Sequence, residues 1–189
     1  YRSSISVQSS LVIHPINEFG SQEQKDKYLP PLIKGEKIGC FGLTESEAGS
    51  DPTSMKTSFK KTKDGYIING SKNWITNAPI ADIFIIWAIE ENKDHKSIKG
   101  FIIEKNTEGL NTSTIENKTS LKISPTGQII LNNVFVPNNL CLENTEGWKS
   151  VFSCLNKARF GISWGVLGSA SECWLIAKDY VENLSLIHI

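Results

Sequence analysis

The sequence predicts an α+β protein in which a central β-barrel or sandwich is flanked by helical segments. Apolar residues step at helical intervals near both ends of the chain, and through the middle they gather into short β-branched runs. Gly, Asn and Pro interrupt those runs at regular distances, the pattern of a barrel or sandwich and not of alternating βαβ units.

Residues 2–13 set Ile5, Val7, Leu11 and Val12 among small serines, as the end of a buried helix does, and His14-Pro15 is expected to stop it. Ser21-Gln22-Glu23-Gln24 opens a second helix with a capping box, in which the Ser21 hydroxyl takes a free backbone N–H and Gln24 reaches back. That helix should run to about residue 29, ended by Pro30-Pro31 and Gly35. Strands are expected over residues 38–44, 57–63, 66–70, 82–89, 100–104, 119–123 and 128–136. Asp64-Gly65 marks a hairpin between two of them and Asn69-Gly70 a second turn. Residues 82–89 are β-branched and aromatic on both faces, as in a doubly buried strand. After Gly147 the helical period returns through Val151, Leu155, Ala158, Ile162 and Val166. Gly161, Gly165 and Gly168 lie inside it. Gly costs about 1 kcal/mol relative to Ala in a helix interior, so close packing against a helix or ligand is expected there.

Composition narrows the function. The 189 residues balance 20 Lys+Arg against 20 Asp+Glu, and a chain without excess cation is poorly suited to nucleic acid or an anionic membrane. With 39% hydrophobic residues there is material for a real core, yet no apolar run approaches the roughly 20 residues that span a bilayer. Cys40, Cys141, Cys154 and Cys173 are scattered, which indicates neither a zinc site nor a disulfide scaffold and suits a reducing interior. His14, His95 and His188 have no Ser or Cys partner in a motif, no G-x-S-x-G elbow stands between a strand and a helix (Gly161 to Gly165 lie inside the helical stretch), and G-x-G-x-x-G and Walker-type loops are absent from the sequence. The chain opens on mid-helix sequence and closes without a stop signal, which reads as a fragment.

Three segments could carry chemistry. In residues 42–51 a strand ends at Thr44 and small residues follow; Gly49 permits positive φ, Ser50 offers a hydroxyl and an N–H, and Asp51 can cap. Such a loop presents donors to an anion, or is a polar turn. Trp74 and Thr76, two apart on a strand, put a flat ring and a hydroxyl on one side, fit for a planar heteroaromatic ligand or for a core and cross-strand pair. Arg159 shares a helix stripe with Phe152 and Leu155, either to meet an anionic or carbonyl partner or to snorkel past apolar neighbours.

Together these residues carry a resemblance. G-L-T-E-x-x-A-G-S-D-x-x-S over residues 42–54 looks like the signature of the acyl-CoA dehydrogenases, and W-I-T-N over residues 74–77 falls at that family's distance from it. The likeness extends to about Asn183, and within the family it is greatest to the glutaryl-CoA dehydrogenase branch. Y-R-S-x-x-S-V-Q-S-S-L-V-x-H-P-I (residues 1–16), G-C-F-G-L-T-E (39–45) and C-L-N-x-A-R-x-G-I-x-W-G-V-L-G (154–168) carry that finer match.

The resemblance implies an FAD enzyme that oxidatively decarboxylates glutaryl-CoA to crotonyl-CoA and CO2. It implies a flavin lined by Phe41, Gly42, Leu43, Thr44, Gly49 and Ser50, with Thr44 near the pyrimidine end, Ser50 near the pyrophosphate and thioester arm, and Trp74, Ile75 and Thr76 beside the ring, Thr76 at N5. Arg2 would hold the substrate's distal carboxylate, with Ser3 assisting, and Phe152, Leu155, Asn156 and Arg159 would line the acyl-CoA channel. Lys157 stands where an Asn is expected, and Ala158 where some relatives place the base. The base is expected beyond residue 189, so this stretch alone should turn nothing over. Glu45 and Asp51 read as loop anchors.

The resemblance also implies an electron-transferring flavoprotein as partner and a homotetramer. The setting would be the mitochondrial matrix in a eukaryote or the cytoplasm in a bacterium. Its domain plan is the end of a helical domain (1–36), a middle β domain (37–145), the first helix of a second helical domain (146–183) and a non-matching tail (184–189). An acyl-CoA dehydrogenase for another short chain, or a non-catalytic β-domain binding module, are the alternative readings.

Overall fold

The computed structural model describes residues 2–93 and 97–184, with the backbone alone at Arg2. Tyr1, residues 94–96 and the expected tail from residue 185 lie outside the described residues. The elements run in the expected order of helices, strands, then one long helix.

The first helix does not stop at Pro15. It passes from α1 (Arg2–Ser6) through a π-helical stretch (Val7–Ile13) into α2 (His14–Phe19). The wider π turn, in which the His14 N–H reaches the Ser9 carbonyl, lets the proline ring enter without meeting an α-spaced carbonyl. The capping box at Ser21 is present in both directions, and α3 (Gln22–Ile33) runs through Pro30 and Pro31 to end later than expected. Those prolines sit in the last turn, where the missing N–H groups cost least structure downstream. The Lys34 and Glu36 N–H groups close the end on the Pro30 and Pro31 carbonyls.

Among the described residues the strands form one seven-stranded mixed sheet: β1 (Gly39–Gly42), β2 (Ser58–Lys61), β3 (Gly65–Thr76), β4 (Ile83–Glu90), β5 (Ile98–Glu104), β6 (Leu110–Thr114) and β7 (Thr126–Pro137). β4 holds it together. Its N-terminal half pairs with β1 in parallel, its end meets β2, and β5 lies antiparallel on its other edge. From β2 the sheet continues through the Asp64-Gly65 hairpin to β3, then β7 and β6. The whole is a curled half-barrel with helices against it. As the apolar run predicts, β4 is buried on both faces. Ile83, Ile85 and Trp87 meet Val12, Ile16, Tyr28 and Val151 of the helices, while Phe84 and Ile86 meet Phe59, Ile68, Phe101 and Ile129 within the curl.

Two strand expectations change. Residues 119–123 are a loop, with Leu121 at φ 49°, and β6, which the sequence pattern did not indicate, pairs with β7 instead. β6 has little apolar alternation because its side chains are mostly exposed, so only the ladder holds it. Asn69-Gly70 is also not a turn: β3 continues through a bulge there, with Gly70 at φ 144°.

α4 (Trp148–Asn183) starts against the core at Val151 and Cys154 and then leaves it, so that Phe160, Trp164 and Trp174 are exposed among the described residues. Gly161 and Gly168 do not mark close packing among the described residues. A Cβ at Gly161 would come 3.8 Å from the Ser6 hydroxyl and one at Gly168 would meet nothing.

Gly70 and Gly49 make a controlled comparison. A Cβ at Gly70 would fall 2.7 Å from the Thr57 Cα, in a backbone conformation L residues avoid, whereas one at Gly49 meets open space. Gly70→Ala should lower unfolding free energy by about 1–3 kcal/mol and Gly49→Ala by under about 0.5 kcal/mol, read from urea midpoints.

Candidate functional site

The site begins where β1 leaves the sheet. Phe41 and Leu43 turn inward, the Phe41 ring 6.1 Å from that of Trp87, and Gly42 is closed in by Ile86. What this strand offers outward is half-buried Thr44 and the exposed loop residues Gly49 and Ser50. Gly49 is not at positive φ, so the sequence-level reason for a glycine there does not apply; the space its missing Cβ leaves is open. Asp51 anchors the loop by accepting from the Thr53 N–H at 3.0 Å.

Beneath the loop lies a buried ion pair. The Lys72 ammonium, with no exposure, donates to Glu45 Oε1 at 2.9 Å and to the Leu43 carbonyl at 3.0 Å. The other donors to the Glu45 carboxylate are the Lys56 and Thr57 N–H groups, at 2.7 and 2.9 Å. Burial pushes the Glu45 carboxyl up, but the Lys72 charge and these N–H donors outweigh it and hold it below the ordinary value. Burial also pulls Lys72 down, to about 8, against the raising pull of Glu45. Glu45 is thus the loop anchor its place in the signature suggests. Lys72 carried no signal in the sequence beyond its parity with inward-facing Ile68 and the need of a buried carboxylate for a cation.

One residue beyond Lys72 the register of β3 against β7 shifts again. The Asn73 N–H donates to the Thr44 carbonyl at 2.9 Å, the Trp74 N–H turns to Asn73 Oδ1, and Trp74 adopts φ 59° with its side chain 58% exposed. Ile75 returns to the core and Thr76 pairs with Thr126. Trp74 and Thr76 line one cleft of about 320 Å³ together with Ser3, Lys118, Leu121 and Ser124. The Ser3 hydroxyl donates to that of Ser124 at 2.9 Å, and the Lys118 ammonium donates to the Thr126 hydroxyl at 2.7 Å. The hydroxyls of Thr44, Ser50 and Thr76 have no partner among the described residues. An exposed flat ring beside the free Thr76 hydroxyl, in a cleft of ligand-pocket size, is a surface for a planar polar heterocycle.

The fold thus brings Ser3, Trp74 and Thr76 together. The α4 candidates stand apart. Leu155 packs on the helical core, Phe152 tilts against Trp148 at 5.9 Å, and Arg159 donates to Asn156 Oδ1 at 2.7 Å on the exposed side of the helix. The Arg2 side chain lies outside the described residues. His14, which has no serine partner in a sequence motif, has Ser153 of α4 at 3.3 Å from its Nε2. A larger cavity of about 440 Å³ between Gln8, Leu32 and Asn77 contains none of the candidate residues. Ser124 and Lys118 were missed because they flank residues 119–123, a loop where a strand is expected, and Thr126 because β7 begins two residues before its expected start at 128.

The family model of the acyl-CoA dehydrogenase middle domain matches residues 40–134, and that of the N-terminal domain residues 1–36. The chain belongs to the acyl-CoA dehydrogenase family. A short-chain-specific acyl-CoA dehydrogenase of Clostridium acetobutylicum is 39% identical over 181 residues, covering 95% of this chain and 48% of that protein. The crystal structure of a glutaryl-CoA dehydrogenase from Mycobacterium smegmatis superposes with a TM-score of 0.92 at 40% identity, over 98% of this chain and 47% of that one. A glutaryl-CoA dehydrogenase of the same organism, in complex with FADH2, gives 0.91 at 39% over 98% and 47%. This acyl-CoA dehydrogenase chain therefore spans about half the length of the relatives it matches. The half-barrel and its helices are the family's fold.

The pair at Lys72 fixes a pH dependence. A carboxyl held below its ordinary pKa of 4.5 contributes stability that is complete above that pH and lost as pH falls through the lowered value. Unfolding free energy should fall in the wild type as pH drops below the ordinary carboxyl value of 4.5, and the fall should be smaller in Glu45→Gln, measured by urea titration.

Proposed function

We propose that this chain carries the flavin-ring and acyl-chain side of an FAD-dependent acyl-CoA dehydrogenase acting on glutaryl-CoA. The observation that carries the reading is the shared cleft of Ser3, Trp74 and Thr76, which joins a residue expected at the acyl chain to two expected at the flavin. The donor set fits the cofactor. Trp74 offers a ring face or edge to the isoalloxazine and Thr76 an unengaged hydroxyl to its N5, while Thr44 and Ser50 offer hydroxyls along the loop. When bound, the flavin supplies a two-electron acceptor for a hydride leaving the substrate β-carbon. The chain's own residues orient and desolvate. Ser3, fixed by Ser124, sets the acyl chain, and Arg2 on the same helix holds its far carboxylate with a bidentate guanidinium. Among the described residues no carboxylate lines the cleft, and the base that would take the α-proton is expected outside this stretch. CO2 would then depart from the oxidised acyl chain, leaving its bonding electrons on the γ-carbon, and that dienolate would take up a proton to give crotonyl-CoA. Phe152, Leu155, Asn156 and Arg159 lie on the helix that would border the CoA arm. The electrons would pass to an electron-transferring flavoprotein from a homotetramer, in a mitochondrial matrix or a bacterial cytoplasm.

A short straight-chain acyl-CoA is the second reading, favoured by the short-chain-specific relative being as similar as the glutaryl-CoA enzyme. Arg2 separates the two. In an assayable enzyme carrying these residues, Arg2→Gln should lower kcat/KM for glutaryl-CoA by about 100-fold, the loss of a bidentate charge-assisted pair. Turnover of butyryl-CoA should stay within about twofold. Equal losses on both substrates would remove the carboxylate role and leave the short-chain reading.

A further inference from the structure

The surface read as the flavin site has two walls from distant parts of the sheet: the bulge of β3 at Trp74, which lines the cleft, and the end of β1 at Thr44, which lies outside the cleft lining and is tied to β3 by the Asn73 N–H. We infer that Lys72 and Glu45 act together as a positioning clamp that holds these two walls at the spacing the ring requires. The inference rests on the reading of the cleft as a flavin site.

The geometry is specific. From a single position on β3, the Lys72 ammonium reaches the Leu43 carbonyl, immediately before Thr44, and the Glu45 carboxylate, immediately after it. Thr44 is thereby straddled by two bonds to the same cation. Glu45 in turn takes the Lys56 and Thr57 N–H groups, fixing the far end of the Ser50 loop, and the Thr57 hydroxyl donates to the Ser71 carbonyl next to Lys72. The circuit closes on the bulge side. The Asn73 N–H holds the Thr44 carbonyl and Asn73 Nδ2 holds the Ser46 hydroxyl at 3.2 Å.

Lys72 is also the last inward side chain before the register shift that turns Trp74 out. Where its ammonium is pinned decides where the bulge begins, and so where the Trp74 ring stands relative to the Thr44 hydroxyl. Hydrophobic residues at both positions together would serve packing about as well, since replacing a whole buried ion pair by apolar residues is often neutral for stability. The pair's distinctive product is geometry: one cation and one carboxylate bind three backbone groups, the Leu43 carbonyl and the Lys56 and Thr57 N–H groups, on either side of the Ser50 loop.

The test uses two variants of the chain, Lys72→Met and the double Glu45→Gln/Lys72→Met. The double leaves no buried charge alone, so it keeps the fold where the single change does not. Two readouts separate positioning from stability. Amide exchange at Asn73, whose N–H bridges the walls, should speed by about tenfold in the double variant while exchange in β4 and β5 is unchanged. FAD affinity, by titration of the flavin absorbance, should fall by about tenfold with the thermal midpoint within about 5 °C of wild type. Unchanged Asn73 exchange together with unchanged FAD affinity overturns the clamp. A wild-type chain that takes up no FAD overturns the flavin reading instead, and the exchange comparison then decides the clamp alone.

Discussion

An ammonium group shut away from water has to be surrounded by acceptors, and the sheet around Lys72 is arranged to supply them. The Leu43 carbonyl and the Glu45 carboxylate both turn toward it, and Glu45 is held ready by two backbone N–H groups. Removing one member leaves the other charged and buried, a loss of about 3–5 kcal/mol, so the pair is costly to break even where it adds little net stability. That asymmetry explains why the loop between β1 and β2 cannot drift. The loop is short of apolar anchors, and Ala48 and Met55 alone cannot fix its polar residues. The ion pair does so, from below.

The rest of the site follows from that fixed point. β4, buried on both faces, ties the helical layer to the curl and gives β1 a rigid parallel neighbour. β1 delivers Thr44, and two departures from regular pairing along β3 deliver Trp74. The bulge at Gly70 bends the strand toward Thr57, and the shift after Lys72 turns the Trp74 ring out of the core. Bulges near sites re-aim side chains in this way. The Lys118 loop then closes the cleft beside Ser3, joining the first helix to the far edge of the sheet through the Ser3–Ser124 bond. A site built across elements so distant in sequence needs the whole half-barrel to be in place.

Much of this was legible in the sequence. The capping box at Ser21, the Asp64-Gly65 hairpin and the doubly buried β4 carry local signals, and each formed as read. Of the motif residues, Trp74 and Thr76 line one cleft, while Thr44 and Ser50 lie outside it. What failed did so where tertiary context overrides local preference. Proline signals stops, yet a π turn absorbed Pro15 and a last helical turn absorbed Pro30 and Pro31. Asn-Gly signals a turn, yet Thr57 against Gly70 made it a bulge. β6 and the loop at residues 119–123 exchanged roles because an exposed edge strand needs no apolar alternation. Lys72 was invisible for the opposite reason. Lysine is among the residues least often fully buried, so pattern alone places it on the surface.

The account turns on Trp74 being the wall against which the flavin ring lies. FAD titration of the chain, followed by tryptophan fluorescence and compared with Trp74→Phe, reads that contact directly. The account predicts saturable quenching in the wild type, with part of the quench and part of the affinity lost in Trp74→Phe while the fold is unchanged. Identical titration curves for the two proteins would contradict it.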